Sequence, residues 1–355
     1  MYGRGTGFYT LKSFVLSKYG ITTSGVIDRI FNTPVYIEST LHANLSHYIN
    51  EQIFRTDDVI IVSIGSFKTY QEVKQRISQL FNITVLWAME ISEYHLSHAE
   101  PDFLNNIGYF LESNKVLIEE IRSNYEDEKS RQVFDGVMEY FSGKDYILKS
   151  IPFDPLSTQY FPKDFQLPLG ANKFINGGAY DGDTLRSLIT NLGSLGEATI
   201  CFEPDLYNFK RLTEYVSTLN TTNHQPNILC LPLGLGATCQ KLRFNSGSAV
   251  NSSIDSNGPE ELTVVSIDSI LPAFQPTFIN MDIEGSEEDA LRGAINTLKN
   301  SKPDLALCIY HTPQQFLGVP RFLLDLQLGY KFRLRNYTGY PAETVLYATA
   351  SRFIN

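Results

Sequence analysis

In the C-terminal half of the chain, short apolar runs end again and again in residues able to do chemistry. Lys173–Asn176 runs into Gly177-Gly178-Ala179-Tyr180-Asp181-Gly182-Asp183-Thr184. Glycine lets a backbone approach a ligand closely, and a helix capped by Asp183 or Thr184 would offer free N–H groups beyond the turn. Roughly twenty-five residues later, Thr199–Phe202 ends in Glu203. A carboxylate there can accept hydrogen bonds from both hydroxyls of a ribose, each worth about 1.5–3 kcal/mol. Two further runs end in Asp282 with Glu284, and in His311. Carboxylates and an imidazole at one edge suit proton transfer to and from a hydroxyl. The plainer readings are a tight turn, a helix-capping Glu203 and a structural histidine. The spacing from turn to Glu203 favours the ribose role.

Those residues need a sheet to hold them. Strands are expected at Lys173–Asn176, Thr199–Glu203, Ile228–Pro232, Thr277–Asp282, Leu305–Tyr310, Tyr330–Leu334 and Thr344–Ala348. Apolar residues at helical spacing predict helices at Asp183–Leu192, Leu206–Leu219, Glu287–Lys299 and Pro313–Gln327. Alternation of this kind builds an α/β layer fold with its ligand site at the carboxyl edge of the strands. Lys241–Ile267 alternates polar and apolar residues and is expected to form an antiparallel insertion. Ser286 or Glu287 suits the cap of the helix after Asp282, which leaves Asp282 and Glu284 for the site. Both are oxygen donors hard enough for a divalent metal. The sequence places no third carboxylate beside them, and no metal is expected.

The order GGAYDGDT, FEP, PLGLG, MDIEGSEEDALRGA, IYH and ETVLYA resembles the FkbM-type methyltransferases over roughly Lys173–Ala350. The resemblance implies a Rossmann-like class I methyltransferase fold, S-adenosylmethionine as donor, and O-methylation of a sugar or polyketide-type hydroxyl, with bacterial surface-glycan biosynthesis as a setting. By position it implies that Asn176, Gly178, Ala179, Asp181 and Gly182 line the methionine part of the donor and that Glu203 holds the ribose. Asp282, Glu284 and His311 would face the methyl and the acceptor, with His311 or Asp282 as base and Glu284 orienting. Three positions depart from the family pattern. Asn176 replaces an Asp, Asn280 a Lys, and Asn336 a His, each removing a charge or titratable group.

The first hundred residues carry a second α/β signal, with strand-like runs at Ile21–Asp28 and Val59–Ile64 and helical spacing at Leu11–Tyr19 and Val73–Phe81. Tyr2–Phe8 resembles an incomplete nucleotide-binding turn, with Asp28 where a ribose partner would stand. His42, His47, His95 and His98 lack further ligands nearby and read as structural. Residues 1–100 therefore form a small Rossmann-like lobe, 101–170 a helical connector with a Pro-rich linker or lid, and 171–355 the methyltransferase domain. Two rival functions follow: an NAD- or nucleotide-sugar-binding enzyme acting through the first lobe, and an inactive binding protein.

A net charge of -10 over 355 residues weighs against a nucleic-acid partner, because phosphate binding needs clustered Lys and Arg. No apolar run is long enough for a membrane span and the first residues lack a signal-peptide pattern. The four cysteines form no CxxC pair, so a reduced, cytoplasmic protein is expected, acting on a small-molecule or sugar acceptor.

Overall fold

The chain divides into two units, Met1–Ser113 with Gly136–Ser150, and Asn114–Asp135 with Ile151–Asn355. The computed structural model describes residues 25–27, 35–37, 40–43, 47, 50–51, 59–62, 67–87, 108–142, 151–219, 227–245, 253–254 and 260–350.

In the first unit, β1 (Gly25–Ile27), β2 (Val35–Ile37) and β3 (Thr40–Ala43) form a sheet of order β1-β3-β2. β4 (Val59–Val62) and β5 (Thr84–Trp87) pair in parallel, with α1 (Phe67–Ser78) between them in sequence. Tyr70, Val73 and Ile77 recur at three- and four-residue spacing on α1 and are buried with Ile60, Val62 and Val85. The helix starts six residues ahead of the expected Val73 because its apolar face begins earlier. Tyr2–Phe8, Leu11–Tyr19, Asp28, His95 and His98 lie outside the described residues.

The second unit begins with α2 (Lys115–Ser123) and the first turns of α3 (Glu128–Ser142). Its sheet contains β6 (Lys173–Gly177), β7 (Ala198–Phe202), β8 (Ile228–Leu231), β13 (Phe278–Met281), β14 (Asp304–Cys308), β15 (Tyr330–Asn336) and β16 (Thr344–Ala350). The order is β15-β16-β14-β13-β6-β7-β8, with β14 through β8 parallel and β16 antiparallel to both neighbours. Every residue of β13, β14 and β16 is buried, as central strands covered on both faces require. The order reverses between β6 and β13, and such a switch point opens a crevice at the carboxyl ends of the strands.

Helices α4 (Asp183–Leu192) and α5 (Leu206–Leu219) have the expected bounds. The expected helix Glu287–Lys299 is instead two, α7 (Glu287–Arg292) and α8 (Ile295–Ser301). They follow a short α6 (Ile267–Ile270). The break falls at Gly293, where a Cβ would lie 2.1 Å from the Gly236 carbonyl oxygen. Asp268 then caps α8, accepting from the backbone N–H of Asn296 and Thr297 at 2.8 and 2.9 Å. Helix α9 (Pro313–Asp325) starts cleanly because Thr312 accepts from the Gln315 N–H and Pro313 occupies the first turn. The insertion is antiparallel as expected: β10 (Gln240–Asn245) pairs with β11 (Ser253–Ile254) and β12 (Glu260–Val265), and β12 pairs in parallel with β9 (Gly234–Leu235).

Candidate functional site

A cleft of about 400 Å³ opens at the carboxyl edge of β6, β7, β13 and β14, a size suited to a small organic ligand. Its floor is apolar where Leu233, Leu235, Leu262 and Val264 face it, and its rim is acidic. Tyr160, Tyr180, Glu284 and Glu343 all line it and all hold positive φ, between 47° and 67°. Non-glycine residues in that region cost about 1–3 kcal/mol each and persist where surroundings over-determine them, as at ligand sites.

The glycine-rich turn does a different job at each position. A Cβ on Gly178 would lie 1.9 Å from the Asp282 carbonyl oxygen, so this glycine lets β6 and β13 close together, and it also lines the cleft. Four residues expected to contact the donor, Asn176, Ala179, Asp181 and Gly182, do not line the cleft. Asn176 and Ala179 are fully buried, and Gly182 packs against Tyr215. Asp181 is ion-paired with Arg186 and Arg211 at 2.8 and 2.5 Å, which draws its carboxylate outward. Tyr180, Asp183 and Thr184 take their places in the lining.

Glu203 lies where the sequence put it, at the end of β7 and 5 % exposed. Its carboxylate accepts from the Tyr180 N–H at 2.8 Å and the Asp205 N–H at 2.9 Å, one bond per oxygen. Each oxygen keeps a further lone pair for a ligand hydroxyl. Burial raises Glu203 to about 7, outweighing those two bonds, and raises Asp183 to about 6.

Asp282, Glu284 and His311 do come together. His311 Nε2 is 3.2 Å from Asp282 Oδ1, and Nδ1 is 3.5 Å from Glu284 Oε2. Glu287, read from sequence as a helix cap, is completely buried and brings Oε1 to 3.6 Å from His311 Nε2. Burial alone would lower the His311 pKa, but the surrounding carboxylates of Asp282, Glu287 and Glu284 raise it to about 9. Those carboxylates favour the protonated form of the imidazole. The base role expected of His311 would need the neutral ring instead.

Two residues not assigned to the site from the sequence complete this end. Tyr160, on the Pro-rich stretch, donates to Asp282 Oδ2 at 3.0 Å. Glu343 enters the cleft from the turn before β16, accepts from Gln159 Nε2 at 2.6 Å, and is raised to about 7 by burial beside Asp282. The ETVLYA stretch pointed at its position without assigning it a role. Asn336 stays out of the cleft. It donates to Ala342 O and Thr344 Oγ1 and accepts from Thr338 and Gly339 N–H, shaping the turn that delivers Glu343.

The fold is a mixed α/β domain of the kind found in methyltransferase structures. Residues 176–332 match the family model of the methyltransferase FkbM domain, the family that the sequence motifs resemble. A crystal structure of methyltransferase FkbM from Methylobacillus flagellatus KT is similar in fold, with a TM-score of 0.67 at 21% identity over 92% of this chain and 84% of that one. An rRNA methylase from Streptococcus thermophilus aligns over 52% of this chain and 92% of its own, at 12% identity and a TM-score of 0.33. Aeropyrum pernix fibrillarin, crystallised with S-adenosyl-L-methionine, aligns over 52% and 70% at 10% identity and a TM-score of 0.32. Those two likenesses are slight. No curated protein matches the chain. No helix among the described residues is long and apolar enough to cross a membrane.

Proposed function

We propose that this protein transfers the methyl group of S-adenosylmethionine to a hydroxyl of a small acceptor, a sugar or glycan precursor. One observation carries the choice of donor. Asp183, Glu203, Asp205, Asp282, Glu284 and Glu343 line the cleft, and no Lys or Arg does among the described residues. A cationic sulfonium is attracted there, whereas the pyrophosphate of NAD or of a nucleotide sugar is repelled. This supports the methyl donor over the dinucleotide alternative.

In this reading Glu203 holds the ribose diol, Leu235, Leu262 and Val264 cover the base, and the sulfonium lies toward Asp282. The acceptor oxygen attacks the methyl carbon, the carbon–sulfur bond breaks, and the sulfonium leaves as a neutral thioether. The hydroxyl proton passes to Glu343, whose value near 7 suits a base at physiological pH. Asp282, held by Tyr160, and Glu284 orient the acceptor, and alignment of this kind can supply about 7–11 kcal/mol of the barrier. Buried Asn176 and Asn280 are register partners across β6 and β13. The family's Asp and Lys at those positions would face each other, so both changes together remove a charge pair and strand no charge. This argues against an inactive relic.

The test is mass spectrometry of surface glycan from cells with and without the gene. Loss of a 14-mass-unit (methyl for hydrogen) increment on one sugar, restored by the wild-type chain and not by Glu343→Gln, is expected. Unchanged glycan and no methyl transfer to any sugar acceptor in vitro contradict the reading.

A further inference from the structure

Beneath the acidic cleft, three side chains converge through the atoms they have left over. Asp282 spends Oδ2 on the Tyr160 hydroxyl, at 3.0 Å. Glu287 spends Oε2 on Gln315 Nε2, and Gln315 in turn accepts from the His311 backbone N–H at 3.1 Å. His311 turns Nδ1 toward Glu284 Oε2 at 3.5 Å. What remains is Asp282 Oδ1 and Glu287 Oε1, 3.2 and 3.6 Å from His311 Nε2, and one donor atom from each of the three residues lies within 4.8 Å of the others. Glu287 Oε1 also accepts from the Ile283 N–H at 2.8 Å, which fixes its direction.

The histidine supplies an independent sign. Its side chain is 10 % exposed, and Nε2 is buried without a hydrogen-bond partner although two carboxylate oxygens lie 3.2 and 3.6 Å away. A buried ring nitrogen 3.2 Å from a carboxylate yet making no hydrogen bond to it is placed to give up its proton to an ion bound among the three. Donors about 2.1 Å from one ion stand roughly 2.9–3.4 Å apart in octahedral or tetrahedral geometry. The two separations from Nε2 are close to that spacing.

We infer that Asp282, Glu287 and His311 hold a single divalent transition-metal ion whose open positions face the cleft. Two carboxylates and one imidazole make a borderline donor set, favouring zinc or manganese over magnesium or calcium. Three protein ligands with vacant positions are the pattern of an ion that binds a reactant. Each ligand has the outer partner such sites use to fix direction: Tyr160 for Asp282, Gln315 for Glu287, and Glu284 for His311. The sequence hid the set because Glu287 follows Asp282 by five residues and suits a helix cap equally well. The ion's use, orienting an acceptor hydroxyl, rests on the methyl-transfer reading; the site itself does not.

The test is calorimetric titration of the full chain, stripped with chelator, by zinc chloride with no donor present. One equivalent per chain is expected, with affinity reduced at least tenfold in Glu287→Gln and in His311→Ala and unchanged in the surface control Glu261→Gln. If Glu287→Gln does not fold, Asp282→Asn carries the same comparison. No saturable uptake by the wild-type chain, or uptake that both ligand variants leave intact, overturns the site. Zinc binding without S-adenosylmethionine binding would leave the site standing and refute only the methyl-transfer reading.

Discussion

Two groups of carboxylates in the second unit differ in what neutralises them. In the first, buried Arg335 gathers Asp127 and Asp164, with closest contacts of 2.8 and 2.9 Å, and Lys129 pairs with Asp154 at 2.6 Å. Burial alone would raise Asp127, yet the bonds from Arg335 and Ser130 bring it down to about 2. In the cleft, Asp183, Glu203 and Glu343 meet no Lys or Arg among the described residues lining it, and burial drives them to about 6, 7 and 7. The same side-chain chemistry thus moves in opposite directions. Carboxylates that tie Asp127 and the Pro-rich stretch to β15 carry their counter-ion with them. Asp183, Glu203 and Glu343 pair with no Lys or Arg of the cleft lining, as a site for a cationic ligand should.

Removing the counter-ion of the first group should have the largest effect. Arg335→Ala leaves half-buried carboxylates uncompensated, and about 3–5 kcal/mol of stability should be lost, lowering Tm by about 10 °C in a thermal melt. Donor affinity of the folded fraction should stay within about twofold, since nothing in that network lines the cleft. A melt unaffected by the change would break the contrast. Glu343→Gln should lower kcat by about 100-fold or more while leaving the donor Kd nearly unchanged, as measured by label transfer from S-adenosylmethionine. An equal loss in Kd would make Glu343 a donor contact rather than the base.

How much of this could be read from the chain depends on how local each signal was. β6, β7, β13 and β14 follow the expected runs closely, because buried parallel strands are continuous apolar stretches. Glu203, Asp282 and His311 were readable for the same reason: each stands where a run ends. Tyr160 and Glu343 were not, since they enter the cleft from segments without periodicity and 122 and 61 residues from Asp282. Ala179 and Asp181 misled because successive residues of a glycine-rich turn face different ways, and of this turn Gly178, Tyr180, Asp183 and Thr184 line the cleft. Asn176 and Asn280 looked like two separate losses until strand register paired them.

The smaller effects sharpen the contrast by pH. Asp127 has its folded pKa depressed, so its contribution to stability is complete above the ordinary carboxylate value and disappears as pH falls from about 4 to about 2. Acid unfolding followed by circular dichroism should steepen in that window, and Asp127→Asn should flatten it. Glu203, raised to about 7, must be ionised to hold a ribose diol, so donor affinity should fall about tenfold between pH 8 and pH 6.

That last dependence also gives the most direct test. Titrating the full chain with S-adenosylmethionine at pH 8 should show one site per chain, with Kd raised about 100-fold in Glu203→Ala from the loss of two charge-assisted bonds. No binding at pH 8, or binding indifferent to Glu203, would contradict the cleft as a methyl-donor site.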